Sequence, residues 1–404
     1  MLFSTGAARS TVHLRVSRSI VRKLGLIATV VMTLMLAAGT SSASSSPSSA
    51  SVAPRANARQ AQDVDGVYFL SPRVGWTSAD GSTRLLMTTD GGARWRDVSP
   101  PMLTRKGLGL ASGLAGADFL SPSDFFVSAY DIGTDELLPV FLLHTTDAGR
   151  KWTEVGSFPN GVGEAWVSFL NDRQGWVAIG NGAAGGTSTV TIYATTAAGA
   201  HWVMVARSPS LSGRPGTPDN PGGCGDTGLT WSGSLRAPVL WLTGFGSVAP
   251  CVRVSTDGGR RWGRAEVLDP SAGSGGEAWP PVFSSESDGA LAVWYGTPGE
   301  VVTAVYSTTN GGASWMEHRT PLPKPGLVDV VSSRTWFAAT GMTIYHTTNG
   351  GVRWSGAHVS LNFSNSQPQN ALDFVNAVDG WAVLSGALWH TTDGGRLWVL
   401  EPLP

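Results

Sequence analysis

An eight-residue motif with the pattern Ser/Thr-x-Asp-x-Gly-x-x-Trp occurs seven times between residues 88 and 398. The copies are Thr88–Trp95, Thr145–Trp152, Thr195–Trp202, Ser255–Trp262, Thr308–Trp315, Thr347–Trp354 and Thr391–Trp398. The third position is Asp in Asp90, Asp147, Asp257 and Asp393, Asn in Asn310 and Asn349, and Ala in Ala197. The terminal tryptophans follow one another at 39 to 60 residues. This period is typical of repeat proteins whose units bury apolar faces against their neighbours.

The motif has the chemistry of a tight turn between two strands. Its Gly accepts positive φ without a steric clash, and its Asp or Asn oxygen can accept backbone N–H groups just beyond it. The Trp then returns on the next strand and can pack over the hairpin. Ala197 has no acceptor oxygen, so we expect the third turn to be the loosest of the seven.

The motif resembles the Asp-box, or BNR repeat, of sialidase-type propellers. A second signature precedes it, reading Phe69–Trp76 in the first repeat. This signature returns as Phe169–Trp176 and Phe374–Trp381, and more loosely as Phe119–Phe126, Leu235–Trp241 and Val331–Trp336. With both signatures, residues 64–404 resemble most closely the photosystem II stability/assembly factor-like propellers. The resemblance implies a fold but no activity, because Asp-boxes in these families shape turns.

Each repeat predicts four antiparallel strands, A to D, which in the first repeat are 67–70, 76–79, 84–88 and 94–98. No segment sustains a helical period, so we expect strands only. The composition, with 52 Gly and 14% charged residues among 404, suits such a chain. The prediction is an all-β, seven-bladed β-propeller. Blade 1 should pack against blade 7, with no blade shared between the chain ends.

The N-terminal region predicts export. Residues 1–39 have basic residues followed by an uncharged run, 24–38, which is typical of a signal peptide and short for a membrane span. An uncleaved anchor is the alternative. Residues 40–62 are rich in Ser, Ala and Pro and predict a disordered linker, so the propeller takes 63–404. We expect a secreted or cell-envelope protein, monomeric, with no membrane span beyond the signal segment.

Strand alternation divides the loops between two faces. The A–B and C–D turns, with the Asp-boxes, share one face, and the B–C and D–A connections share the other. Long insertions fall on that second face, at 128–140, 180–189, 208–230, 268–281 and 355–370. Because loops on a rigid scaffold carry binding functions, we place the ligand face opposite the Asp-boxes.

The two cysteines, Cys224 and Cys251, map to that face in blade 4 and predict a disulfide. The seven His residues are scattered, so neither a metal nor another cofactor is expected. A net charge of −1, with no basic stripe, gives no support for nucleic-acid binding.

Three further tryptophans provide a candidate ligand site. Counting ten residues back from the start-of-strand-B aromatic gives Trp166 and Trp231 in blades 3 and 4, and the same count with one residue of slack gives Trp279 in blade 5, where other blades have small residues. Glu164 and Glu277 belong to a shared Gly-Glu-Ala-Trp sequence. One interpretation is an exposed aromatic floor with two carboxylates, suited to sugars, cations or peptides. The alternative is that these tryptophans plug the channel or pack between blades.

Two classes of function remain open. The first is a non-catalytic propeller that binds a protein or a glycan. The second is a sialidase-like or other glycoside hydrolase, which needs a Tyr with a Glu partner and an arginine cluster, or else a pair of carboxylates. The usual first-blade Phe/Tyr-Arg-Ile-Pro of sialidases is absent here. Other acidic candidates are Asp131, Asp135 and Glu136.

Overall fold

The computed structural model describes residues 63–131, 138–162, 164–184, 187–207, 228–234, 237–246, 250–263, 266–268, 276–295, 302–322, 326–363 and 370–404. The predicted signal peptide and linker lie outside these ranges and stay predictions. Within them, no helix is long and apolar enough to cross a membrane.

The fold is a seven-bladed β-propeller, as predicted. In chain order, the strands of blades 1 to 3 are Val64–Phe69, Gly75–Ala79, Arg84–Thr88 and Arg96–Asp97; Leu108–Leu110, Ala117–Phe119, Phe125–Asp131, Leu138–Thr145 and Thr153–Gly161; Ala165–Phe169, Gly175–Ala184, Thr187–Thr195 and Val203–Arg207. Those of blades 4 and 5 are Gly228–Ser234, Ala237–Gly246, Cys251–Ser255 and Glu266–Val267; Gly276–Ala278, Val282–Phe283, Gly289–Tyr295, Val302–Thr308 and Met316–Arg319. Those of blades 6 and 7 are Leu327–Val330, Trp336–Thr340, Thr343–Thr347 and Ser355–His358; Ala371–Phe374, Gly380–Leu384, Ala387–Thr391 and Val399–Leu400.

The expectation of strands only was wrong between blades 1 and 2. Pro101–Lys106 forms an α-helix, α1, with Pro in its first turn and Gly107 in the left-handed conformation at its end (φ 67°). A 3-10 helix follows at Gly113–Gly116. Both helices are too short to show an apolar helical period. In α1, however, Pro at the start and Gly at the end are recognisable start and stop signals.

Part of the predicted insertions is regular strand. In blade 3 strands B and C stay paired as far as Ala184 and Thr187, so much of 180–189 is paired. The segment before blade 5 begins a strand at Gly276, and Gly276 and Glu277 pair with Gly246 and Phe245 of blade 4. Blades 4 and 5 therefore form one continuous sheet. Small and polar residues concealed this pairing, because they predict loops as readily as edge strands.

Aromatic stacks between neighbouring blades explain the second sequence signature. Phe69 at the end of strand A in blade 1 lies flat on Trp381 of blade 7, with ring centroids 3.4 Å apart. The same arrangement joins blade 3 to blade 2 and blade 7 to blade 6, through Phe169 on Phe126 and Phe374 on Phe337. These rings are buried, so the signature encodes the packing between blades.

The ring closes by packing, as predicted. Blades 1 and 7 are separate four-stranded sheets, and one apolar cluster includes Val67 and Leu86 of blade 1 with Val383 and Leu388 of blade 7. The N–H of Val64 also donates to the carbonyl of Gly386 at 3.1 Å. No long strand edge is left open where the chain ends meet.

The Asp-boxes occupy the turns between strands C and D. In the first box the Thr88 hydroxyl donates to Asp90 Oδ1 at 2.9 Å and accepts the Gly92 N–H at 3.0 Å. Asp90 Oδ1 also accepts the Arg94 N–H at 2.9 Å. Asn310 and Asn349 accept the equivalent N–H groups, as predicted. The box is thus closed by its own hydroxyl and carboxylate or amide oxygen.

Candidate functional site

Hydrogen bonds place the Asp-boxes and the A–B turns on one face. The N–H of Gly91 in the first box donates to the carbonyl of Arg73 in the A–B turn of the same blade at 2.9 Å. The same contact recurs in blades 2, 3, 5, 6 and 7, through Ala148, Ala198, Gly311, Gly350 and Gly394. These turns are short, and their backbone N–H and carbonyl groups hydrogen-bond to one another. The B–C and D–A connections therefore share the opposite face, which we call the ligand face.

Trp166 and Trp279 are core residues, contrary to the expectation of an exposed floor. They are only 1% and 2% exposed. Trp166 packs with Leu229 and Leu240 of blade 4, and Trp279 packs with residues of blade 6 such as Val328. A small residue at this position in other blades leaves less area to bury between blades. Their burial fits the alternative interpretation, packing between blades.

Trp231 does not share the register of Trp166, so the count of ten residues was misleading. Trp166 lies opposite Ala178, four places into strand B, whereas Trp231 lies opposite Leu240, next to the strand-B Trp241. The A–B connection is shorter in blade 4, where one strand ends at residue 234 and the next begins at 237. The side chain of Trp231 is outside the described part of the structure.

The two Gly-Glu-Ala-Trp copies do share one register. Glu164 lies opposite Gly180, whose N–H donates to the Glu164 carbonyl at 2.9 Å, and Glu277 lies opposite Trp294. Glu277 is buried, and its Oε2 accepts the indole N–H of Trp294 at 2.9 Å. Glu164 is half-buried. Both glutamates lie at the ligand-face ends of their blades, and the carboxylate of Glu277 bonds to an indole.

A Tyr–Glu pair in blade 5 was missed by sequence reasoning. The Tyr295 hydroxyl donates to Glu317 Oε1 at 2.7 Å, and Arg319 Nε donates to the same oxygen at 3.1 Å. This hydrogen bond, which Arg319 donates to Glu317, is the main cause that raises the pKa of Arg319 above its usual value. Tyr295 ends strand B and Glu317 lies on the outermost strand, so only the folded blade brings them together. The pair is within reach for proton transfer, yet Tyr295 is only 4% exposed.

The predicted disulfide remains a prediction. Cys251 is buried at the first position of strand C in blade 4, as expected. Cys224 lies outside the described residues. Asp135 and Glu136 lie outside them as well, and Asp131 ends strand B of blade 2. Among the residues that the structure describes, no three His, Cys, Asp or Glu side chains are grouped to hold a metal.

The fold and its turns define an Asp-box β-propeller, and solved propellers are similar to it. One, YCF48 bound to a D1 peptide, matches with 16% identity and a TM-score of 0.52, over 86% of this chain and 95% of that one. Another, a GH74 xyloglucanase from Xanthomonas campestris, matches with 14% identity and a TM-score of 0.57. That match covers 85% of this chain but only 55% of the enzyme. No family model and no curated protein matches. The predicted resemblance is confirmed for the fold.

Proposed function

We propose that this protein is an extracytoplasmic, non-catalytic propeller that binds a segment of another protein on its ligand face. The observation that carries the proposal is the asymmetry between the two faces. The Asp-box face repeats one short turn whose polar groups bond to one another, while the ligand face differs from blade to blade. Variable loops on a rigid scaffold are where binding specificity resides.

The match to YCF48 supports a peptide ligand, because that solved complex holds a D1 peptide and the match covers nearly all of its chain. The shared fold does not define this protein's ligand, since function resides in the site. We therefore name only the class of partner, an extended protein segment that lies across several blades.

Glycan binding or glycoside hydrolysis is the alternative. The observation that favours hydrolysis is the hydrogen bond between Tyr295 and Glu317, which matches a tyrosine nucleophile with an acidic partner. The burial of Tyr295 and its position between the central strand and the blade edge argue against that role. Hydrolysis of a fluorogenic glycoside by the protein, and its loss in Tyr295→Phe, would establish this alternative.

Export is inferred from the N-terminal sequence and is supported by the two cysteines. A Cys224–Cys251 disulfide should form in an oxidising compartment and contribute roughly 3.5 kcal/mol by restricting the unfolded chain. Mass spectrometry of unreduced protein should find both residues in one crosslinked peptide. Alkylation of both thiols without reductant would contradict the disulfide.

A screen of residues 63–404 on peptide and glycan arrays, with a glycoside panel in parallel, tests the proposal. We expect selective binding of particular peptides and no glycoside turnover. Binding of glycans alone, or turnover of a glycoside, would contradict it.

A further inference from the structure

The two residues directly before the tryptophan of each Asp-box differ between blades. In boxes 1 to 5 they are small, polar or basic, namely Ala93-Arg94, Arg150-Lys151, Ala200-His201, Arg260-Arg261 and Ala313-Ser314. Boxes 6 and 7 instead combine an arginine with a large apolar residue, as Val352-Arg353 and Arg396-Leu397. Val352 and Leu397 are 77% and 73% exposed, so neither side chain contributes to the core.

The A–B turns add to these side chains. In each blade where the turn bonds to the box, one turn residue accepts the box N–H through its carbonyl. That residue is Arg or Ser in blades 1, 2, 3, 5 and 6, and Val378 in blade 7. In blade 6 it is Arg334, which is exposed, and Val378 is 48% exposed. Blade 7 therefore has a second large apolar side chain on the Asp-box face.

Boxes 6 and 7 are neighbours in the ring. Box 7 packs on strand C of blade 6, since a Cβ atom on Gly395 would lie 2.6 Å from Ile344 Cδ1. The arginines and the large apolar residues of these two blades thus share one sector of the Asp-box face. We call this sector the basic–apolar patch, and its residues are Arg334, Val352, Arg353, Val378, Arg396 and Leu397.

Blade 6 contributes positive charge to the patch without any acid. Its A–B turn and box contain no Asp or Glu, because Asn349 replaces the Asp of the motif. Asn349 Oδ1 still accepts the Arg353 N–H at 2.9 Å, so the turn is kept while its negative charge is removed. Within the described part of the chain, neither Arg334 nor Arg353 has a carboxylate partner. Both guanidinium groups are therefore available to an external anion.

The carboxylates of blade 7 are engaged in holding its turns. Asp379 Oδ2 accepts the side-chain amide of Asn376 at 2.8 Å. Asp393 Oδ1 accepts the backbone N–H groups of Arg396 and Leu397 at 2.9 Å each. The exposed side chains beside them are a cation and an aliphatic group. The outer layer of the patch thus differs in charge from the layer that shapes it.

We propose that the basic–apolar patch docks the propeller on an anionic phospholipid bilayer. Arginine side chains are attracted to the phosphates of such a surface, and aliphatic side chains beside them enter the headgroup region. Single apolar side chains at the tips of short turns suit insertion between headgroups, whereas a protein partner favours side chains that fill packed pockets. The inference goes beyond the proposed function, because docking on the Asp-box face leaves the ligand face directed away from the bilayer.

The test measures co-sedimentation of residues 63–404, which contain all seven blades and the closed ring, with vesicles. One vesicle is phosphatidylcholine alone, and the other is equal parts phosphatidylcholine and phosphatidylglycerol. We expect binding to the second vesicle, weakened by salt, and none to the first. Dextran sulfate, a soluble polyanion without a bilayer, is the third probe, and we expect it to bind more weakly than the anionic vesicle.

Other blades supply the substitutions. Ser occupies the equivalent positions in blade 5, so Arg334→Ser and Arg353→Ser should fold normally and each weaken vesicle binding about fivefold. Leu397→Ala should weaken it about tenfold, because it removes the inserted aliphatic group. The matched control is Arg173→Ser, at the position of Arg334 but in blade 3, across the ring. It should leave vesicle affinity little changed, and all four variants should keep the wild-type melting temperature.

Three results would overturn the docking surface. The first is no binding to anionic vesicles, or equal binding to both vesicles. The second is an equal loss in Arg173→Ser and Arg334→Ser, which would show a diffuse attraction to the whole face. The third is tighter binding of dextran sulfate than of anionic vesicles, which would indicate a soluble polyanion instead. Peptide binding measured without lipid is independent of these results, so the proposed function stands or falls separately.

Discussion

The backbone N–H of Phe69 donates to Asp373 Oδ2 at 2.6 Å, joining the innermost strands of the first and last blades. The same bond links blade 2 to blade 3, from Phe169 to Asp118, and blade 6 to blade 7, from Phe374 to Asp329. All three aspartates are buried. Each carboxylate therefore connects its own strand A to the next one around the channel.

The contacts of blade 4 with blade 3 and with blade 5 lack such a carboxylate. In the register of Asp373, opposite the strand-B tryptophan, blade 3 has Ser168 and blade 4 has Thr230. Both hydroxyls are buried without a hydrogen-bond partner. We infer that the ring is joined most firmly from blade 6 through blade 7 to blade 1.

We call each of these bonds, from a backbone N–H to a buried Asp of the neighbouring blade, a clasp. Removing a clasp should destabilise the propeller. Asp373→Ala leaves the buried Phe69 N–H without its acceptor, so we expect a loss of about 1 to 3 kcal/mol in the free energy of unfolding. Urea unfolding measures this loss of stability, and Asp172→Ala, at an exposed residue of an A–B turn, is the control. Equal stability of the two variants would show that the clasp contributes nothing.

The defective Asp-box should be repairable. The Gly199 N–H still bonds to the Thr195 hydroxyl at 3.1 Å, but residue 197 offers no oxygen to the N–H four places on. Ala197→Asp should supply it to His201 and raise stability by about 1 kcal/mol. Asp147→Ala, which makes the opposite change in the neighbouring blade, should lower stability. A melting temperature that does not rise in Ala197→Asp would contradict this account of the turn.

Trp166 and Trp279 should behave as core residues. Each single Trp→Ala variant should lose about 3 to 5 kcal/mol of stability, since it leaves a cavity between blades. Leu397→Ala, at a side chain 73% exposed, should change stability by less than about 0.5 kcal/mol. Chemical denaturation distinguishes these outcomes. Stable Trp→Ala variants with weakened ligand binding would instead restore the aromatic-floor hypothesis.

Acid should weaken the Asp-boxes. Hydrogen bonds from the backbone N–H of residues such as Arg94 and Lys151 hold the pKa of Asp90 and Asp147 below the usual value of 3.8. Because the folded pKa lies below the unfolded one, this stabilisation is present above about pH 4 and is lost as the pH falls through the folded value. Asp90→Asn keeps the acceptor oxygen and should reduce the acid dependence of the melting temperature between about pH 4 and pH 2. The same acid dependence of the melting temperature in Asp90→Asn and in the wild type would contradict this role of the Asp90 carboxylate.

The sequence predicted the fold well because the Asp-box is local chemistry. The Thr88 hydroxyl, the Asp90 carboxylate and the N–H groups that they bond are within seven residues of one another, so a motif in the sequence is already a turn. Seven such turns determine the number of blades. The aromatic signature likewise predicted the strands, although its stacking across blades emerged only from the structure.

The candidate site was less predictable, because it depends on register and on contacts between distant residues. A difference of a few residues in the A–B connection moved Trp231 out of the position assigned to it. The clasp of Asp373 on Phe69 spans 304 residues. The covering of Glu277 by Trp294 requires knowing that the two lie opposite each other. Counting along the chain could not supply these relationships.

The central claim, that the ligand binds opposite the Asp-boxes, can be tested within a single blade. Met342, 44% exposed in the B–C turn of blade 6, lies on the ligand face, and Val352, 77% exposed, lies in the Asp-box of the same blade. A bulky polyethylene glycol chain is attached to Met342→Cys or Val352→Cys, with wild-type protein as the labelling control, and binding of the strongest array peptide is measured. We predict a large loss of affinity for the conjugate at residue 342 and little change for the one at residue 352. The reverse pattern would contradict the account.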